Sequence, residues 1–148
     1  MAFSGSVICN SFKLELLLGV HNLGTTGHAF RMALYTEDAE LDADTTSYIG
    51  TDHEVPDSGT YAAGGGLLQI LQLPQIVNGV AALRWQPVSF SSASISARGG
   101  LIYNDTLTGK NAVAVVDFGT VKTSVQGTFS ITFPPILPDP ANAIIRVL

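Results

Sequence analysis

The sequence predicts an all-β protein, an antiparallel β-sandwich of jelly-roll or Greek-key type with one short N-terminal helix. Residues 94–134 contain three runs rich in β-branched and aromatic residues, separated by short breaks with Gly, Asn, Asp and Ser, which is typical of an antiparallel meander. Residues 28–36 alternate apolar and other side chains with a period of two. Because helical and strand patterns do not alternate along the chain, a parallel α/β fold is excluded.

At the N-terminus, residues 1–10 are predicted to be an arm, either loosely held or packed on a neighbouring subunit, and residues 11–148 a single domain. A short helix is expected from about residue 11 to 22. Asn10 or Ser11 would cap its start, and Gly24 would end it. Phe12, Leu16 and Leu17 would lie on its apolar face.

The segment 37–57 carries eight of the twelve acidic residues and predicts a long surface loop with a short strand at 48–55. Asp42 and Asp44 have the i, i+2 spacing of loop ligands for calcium. The turn glycine and the distant glutamate of a twelve-residue calcium loop are missing, so a solvated acidic face is the favoured interpretation.

The remaining strands are predicted from turn and proline signals. The glycine-rich stretch 59–66 links to a hairpin over 67–83 that turns at Asn78-Gly79, and Pro87 breaks or borders a strand over 84–90. Four prolines within 134–140 predict an extended link, and 143–148 a final strand. The total is about eight to nine strands.

The composition favours a protein that is covered by a partner. Hydrophobic residues make up 46% of the 148 residues and charged residues only 13%, against about 25% in a typical soluble domain. Such a chain has either a large core or apolar surface that an interface covers, and we expect the second.

The same totals exclude several classes of partner and site. A net charge of -5, with seven scattered basic residues, argues against binding to nucleic acid. Cys9 is the only cysteine, so we expect no internal disulfide, no zinc site and synthesis in a reducing cytoplasm. We find neither a signal-peptide pattern at the start nor an apolar run of about 18 residues, so no membrane partner is expected.

Residues with catalytic potential do not form a recognisable pattern. His21, His28 and His53 have no metal-ligand spacing, and no serine lies in a G-x-S-x-G elbow, so we expect neither an enzyme nor a cofactor. Arg98 is the notable polar residue, since it lies in a predicted central strand. It either extends its guanidinium to the surface, pairs with a carboxylate such as Asp117, or contacts another subunit; the pair Arg98–Asp117 is our structural prediction.

An ordered set of short motifs spans about residues 12–148. The motifs are FRMALYT at 30–36, TTSY at 45–48, EV at 54–55, GTYAAGG at 59–65, ARG at 97–99, IYND at 102–105, DFG at 117–119, FSI at 129–131 and AIIR at 143–146. As a set they resemble a family of small virion proteins of tailed bacteriophages. The resemblance implies a β-sandwich in the phage particle, a capsid decoration or cement protein made in the host cytoplasm and located on the capsid surface.

The expected function is to bridge neighbouring subunits of the major capsid protein, with the protein itself forming a homotrimer at local threefold axes. The alternatives are a tail, baseplate or head–tail connector component, and a carbohydrate-binding module supported by Trp85 and the four tyrosines. The candidate interface residues are apolar and lie in the arm, the 67–83 hairpin and the proline-rich segment: Phe3, Val7, Ile8, Leu71, Leu73, Ile76, Val77, Ile136 and Leu137.

Overall fold

The computed structural model describes residues 3–48, 50 and 52–148. In these residues the chain forms antiparallel sheets and one short helix, which confirms the all-β prediction. The elements are β1 (Val7–Ile8), α1 (Asn10–Leu17), β2 (Phe30–Tyr35), β3 (Gly66–Leu68), β4 (Ile70–Val77), β5 (Val80–Trp85), β6 (Val88–Asn104), β7 (Ala112–Ile131) and β8 (Ile145–Val147).

The larger sheet has the strand order β1-β7-β6-β2-β3 and is built on one long hairpin. β6 and β7 pair over almost their whole length, so the predicted three-run meander over 94–134 is wrong and the segment forms parts of two long strands. Gly119 lies inside β7 with a φ of +82°. The four residues from 118 to 121 oppose Arg98 alone, so Gly119 belongs to a bulge that pairing continues past.

β2 lies inside the larger sheet, between β6 and β3. The predicted alternation places Phe30, Met32 and Leu34 in the core, but Ala33 and Tyr35 are buried as well. Both faces of this strand are therefore covered. Part of the cover comes from the acidic segment 37–57, which was predicted to be a surface loop but contributes buried apolar side chains to the same core. These are Ala39, Leu41 and Val55.

The predicted strand at 48–55 includes Ile49 and Thr51, which lie outside the described residues. The other residues of that segment do not form a strand. Only isolated bridges pair Ser47 with Asn111 and Glu54 with Tyr35. The segment therefore crosses the sheet mainly as loop.

The smaller sheet has the order β4-β5-β8. Asn78 and Gly79 have φ angles of +52° and +79° and form the tight turn between β4 and β5, which confirms the predicted hairpin. The break at Pro87 and the final strand, β8, are confirmed as well. Trp85 at the end of β5 is buried against rings outside its own sheet, with its ring centroid 6.1 Å from that of Phe30 on β2.

The N-terminal segment belongs to the domain, so the predicted arm over 1–10 is wrong for residues 3–10, and residues 1–2 lie outside the described part. Val7 and Ile8 pair with Val115 and Ala114 of β7, while Phe3 and Cys9 are buried. The helix is shorter than predicted because the chain leaves it at Gly19, which has a φ of +70°, rather than at Gly24.

Candidate interaction surface

Three of the predicted interface residues form an exposed apolar stretch on β4. This strand is an edge of the smaller sheet, and Leu71, Leu73 and Ile76 are 48%, 46% and 70% exposed. Pro74 lies in the same strand, as is typical of sheet edges, since proline has no N–H to donate to a neighbouring strand. A long apolar edge is a template for association unless a partner covers it.

The other candidate interface residues divide into three groups. Leu137 is exposed. It lies next to the β4–β5 hairpin, because the carbonyl of its neighbour Pro138 accepts a hydrogen bond from the Asn78 side chain. Val7 and Ile8 are half-buried because they form β1. The assignment is wrong for three residues that fill the protein's own interior: Phe3, Val77 and Ile136.

Each of those three corrections has a local cause. Ile136, with no exposed surface, packs with Ala82 and Ala143, because the proline-rich segment covers one face of β5. Val77 pairs with Val80 on the same side of the hairpin as Ala82. Phe3 fills space above Gly99, where an added Cβ would lie 2.6 Å from the phenyl Cε1.

A second exposed apolar group lies on α1 and was missed in the sequence. Leu14, Leu17 and Leu18 are all exposed, while Phe12 is the buried residue of the helix. Their i, i+3, i+4 spacing marks one helix face. That spacing was visible in the sequence, but Leu17 was assigned to the buried face with Phe12.

Arg98 and Asp117 form the predicted pair as a two-pronged ion pair. Arg98 Nε and Nη2 donate to Oδ1 and Oδ2 of Asp117 at 2.9 and 3.3 Å. The aspartate side chain is 8% exposed and the arginine side chain 25%, so the pair lies at the margin of the sheet. In the strand register Asp117 pairs with Gly99, and Arg98 lies opposite the bulge that contains Gly119. The bulge therefore brings the two side chains together.

Asp117 also fixes the N-terminal segment. Its Oδ2 accepts a hydrogen bond from the Gly5 N–H at 3.0 Å, and its own N–H donates to Ser6 Oγ at 2.9 Å. Burial raises the pKa of Asp117, but hydrogen bonds from Arg98 and from the N–H groups of Gly119 and Gly5 outweigh it, so the pKa lies below its usual range. The carboxylate is thus a charged anchor for residues 3–6.

Glu54 is a buried carboxylate at the centre of a group of tyrosines. It accepts hydrogen bonds from Tyr61 Oη at 2.7 Å, Tyr48 Oη at 2.9 Å and the Gly64 N–H at 2.7 Å. The ring of Tyr48 stacks on that of Tyr103, with centroids 4.6 Å apart. The prediction of a solvated acidic face over 37–57 is therefore wrong for Glu54.

Burial and the Glu54 charge change the acidity of the tyrosines. Burial is the main cause that raises the pKa of Tyr103 to about 12. It also raises the pKa of Tyr48 and Tyr61, and their hydrogen bonds to Glu54 raise it further. These phenols therefore remain protonated at physiological pH and act as donors that hold the 47–65 segment on the sheet.

A second buried polar network joins the helix to the β6–β7 turn. The Asn104 side-chain amide donates to Nδ1 of His21 and of His28 at 2.9 and 2.8 Å, and its carbonyl accepts from the Thr106 N–H. His21 Nε2 lies 2.5 Å from Glu15 on α1. Asn104 has no exposed surface, so its orientation is fixed on all sides. No spacing in the sequence indicates this network.

The side chains considered for metal binding or reactivity have structural roles or are buried. Asp42, considered for calcium, accepts a hydrogen bond from the Asp44 N–H within a turn. In the part of the chain that the structure describes, no three His, Cys, Asp or Glu side chains converge into a metal-binding group. Burial raises the pKa of the Cys9 thiol to about 11, so this thiol is protonated at neutral pH.

Comparisons with known proteins give no relative of this chain. No protein-family model, no curated protein and no solved structure matches it. Among the described residues, no helix has the length and apolar character needed to cross a bilayer.

Proposed function

We propose that this protein is a structural component of a bacteriophage particle that decorates the capsid shell and cements neighbouring subunits of the major capsid protein. The observation that carries the proposal is the apolar edge strand β4, with Leu71, Leu73 and Ile76 exposed. Leucine and isoleucine side chains that are exposed along a strand edge favour association with a partner that covers them permanently. The phage-like motif set directs the proposal to a virion.

The low charge of the chain supports the same proposal. A protein that binds a shell in many copies needs only modest affinity per contact, because each copy adds contacts across a boundary between capsomers. Apolar contact area provides such affinity without salt dependence. We further propose a homotrimer at local threefold axes, because the capsid lattice supplies that symmetry.

Copy number in purified particles tests the location. Gel densitometry of purified virions should give many copies per shell, in proportion to the major capsid protein, and the protein should be in the head fraction. A handful of copies, or recovery with separated tails, would overturn the capsid proposal in favour of a tail, baseplate or connector component.

Binding to shells tests the surface. The purified chain should sediment with expanded shells of the phage, and the combined substitution Leu71→Ser, Leu73→Ser and Ile76→Ser should abolish this co-sedimentation. Gln75→Ser, on the same strand and also exposed, is the matched control and should bind like the unsubstituted protein. Equal binding by the triple variant would show that β4 is not the docking surface.

The carbohydrate-binding alternative loses its main support, because Trp85 is buried among Phe30 and Phe133 and cannot stack on a sugar. For the architecture, we propose a β-sandwich of jelly-roll or Greek-key type. The contact between the Trp85 ring of the smaller sheet and the Phe30 ring of the larger sheet supports two facing layers.

A further inference from the structure

A groove that is separate from β4 runs along the outer edge of β7. It consists of two adjoining depressions of about 540 and 700 Å³, which share Ser6, Pro134 and Ile144 in their walls. The first lies between residues 116–123 and 129–131 of β7, which bends so that the ring centroids of Phe118 and Phe129 are 6.2 Å apart. The second continues between β1 and the segment around β8. Its lining is apolar over much of its length and includes Phe118, Phe129, Phe133, Val7 and Ile8.

The outer edge of β7 is open along this groove. β1 pairs with the edge at Ala114 and Val115 only, and the Asp117 N–H is bonded to Ser6. The chain then turns away at Gly5, which has a φ of +116°, so that Phe3 can enter the core. From 118 to 131, no backbone hydrogen bond joins this edge to another described segment. The edge is therefore covered at 112–117 and open beyond Asp117, in line with β1.

Three basic side chains line the groove. They are Lys122, Lys13 and Arg146, all exposed. Among the described residues, none of the three has a carboxylate within 4.0 Å, whereas Arg31, Arg98 and Lys110 are paired. Asp117 is the one acidic side chain among the described lining residues, and Arg98 already holds it. In a protein of net charge -5, this edge is therefore locally positive.

These features select the occupant. A second copy that pairs through the same edge would bring each set of three cations against itself, which is unfavourable. The acidic segment 37–57 of a second copy is also unsuitable, because it is folded through turns such as Asp42–Thr45 and contributes to its own core. A free extended segment with carboxylates has neither problem.

We infer that the β7 groove binds an extended acidic segment of a different protein, which adds to the sheet as a further strand in line with β1. Its backbone pairs with the part of the open edge that follows β1 and lines the groove, at 118–123. Alternate apolar side chains contact the phenylalanine-lined floor, and carboxylates at its ends meet Lys122, Lys13 and Arg146. This surface does not include β4, so the inference stands independently of the proposed docking surface.

The test uses the full chain and a fluorescein-labelled peptide of alternating Val and Thr with two Glu at each end. Fluorescence anisotropy should show saturable binding that weakens with added salt. Replacement of the four Glu by Lys, or the combined substitution Lys13→Glu, Lys122→Glu and Arg146→Glu in the protein, should each raise the Kd by about tenfold or more. Gln75→Glu on β4 adds a negative charge outside the groove and should leave the Kd unchanged.

A second readout reports the backbone pairing itself. Hydrogen exchange should slow at amides within 118–123 when the peptide is bound, and a peptide N-methylated at alternate residues should bind about tenfold more weakly. Absence of saturable binding, equal binding by the charge-reversed protein, or unchanged exchange at 118–123 would overturn the inference. A dimer of the chain that protects these amides without peptide would also overturn it, in favour of a second copy.

Discussion

At the scale of residues, three polar side chains hold segments that apolar packing leaves unfixed. Asp117 anchors residues 3–6, and Glu54 holds the 47–65 segment through tyrosines. Asn104 ties α1 to the β6–β7 turn through His21, which contacts Glu15 on the helix. Each is surrounded by donors or acceptors that match its own groups. Loss of such a partner leaves a buried polar group unsatisfied, which lowers the free energy of unfolding by more than the hydrogen bond itself contributed. Single substitutions here should therefore have clear effects.

Asp117→Asn should loosen the N-terminal segment. The substitution removes the charge that draws donors from Arg98 and Gly5, so hydrogen exchange at residues 3–8 should become about tenfold faster. Because the pKa of Asp117 is lowered in the folded state, its stabilising effect is present above the unfolded pKa of about 4 and is lost as the pH falls further.

Asp38→Asn, at an exposed position, is the control and should leave both exchange and acid sensitivity unchanged. If Asp117→Asn unfolds on acidification with the same profile as the unsubstituted protein, the anchor role is wrong.

Alkaline pH should unfold the protein through its tyrosines. Their pKa values are raised in the folded state, to about 12 for Tyr103, against about 10 in an unfolded chain. Their contribution to stability is therefore complete below pH of about 10 and is lost as the pH rises above it. The rise in tyrosinate absorbance should coincide with loss of circular dichroism, whereas in urea the same tyrosines should titrate near pH 10 without a transition. A gradual titration of folded protein near pH 10 would contradict the burial of these phenols.

At the scale of elements, the long β6–β7 hairpin organises the molecule. It spans the larger sheet, and its bulge at 118–121 brings Asp117 to Arg98 while leaving the outer edge beyond it open. The smaller β4–β5 hairpin is built differently, since a two-residue turn fixes its register and its outer strand carries the exposed apolar side chains.

Gly79→Ala should destabilise the β4–β5 hairpin. Gly79 has a φ of +79°, and a Cβ in this left-handed region costs about 1–2 kcal/mol of unfolding free energy. Urea unfolding followed by Trp85 fluorescence measures the loss. Gly127→Ala is the matched control, since an added Cβ there lies 3.6 Å from its nearest neighbour. Equal stability of the two variants would show that the turn conformation does not matter.

At the scale of the whole molecule, a charge-poor chain exposes apolar side chains at separate places. β4 carries one group, α1 another, and the β7 groove is apolar with a basic rim. Separate surfaces suit a protein with several neighbours, as a component of a shell would have.

Ile76→Lys should change association and not folding. Ile76 is 70% exposed, so its replacement should alter the unfolding free energy by less than about 0.5 kcal/mol. In sedimentation velocity, the proposed homotrimer should remain intact while binding to shells is lost, because β4 is the proposed docking surface for the capsid protein. A shift toward monomer would place β4 in the subunit interface instead. An unsubstituted chain that is monomeric at every concentration would overturn the homotrimer.

By itself, the sequence determined the all-β class, the Asn78-Gly79 turn, the break at Pro87, the final strand and the exposure of Leu71, Leu73 and Ile76. These follow from local rules: β-branched and aromatic runs favour strands, and glycine and proline restrict the backbone where they stand.

The tertiary structure alone decided the rest. Whether Phe3 and Ile136 are exposed depends on what covers them, and Phe3 finds its space above Gly99, far along the chain. The burial of Glu54, the histidine pair around Asn104 and the open edge of β7 likewise depend on contacts between residues distant in sequence. Local preference cannot encode such contacts, because burial is a property of neighbours that only the folded chain brings together.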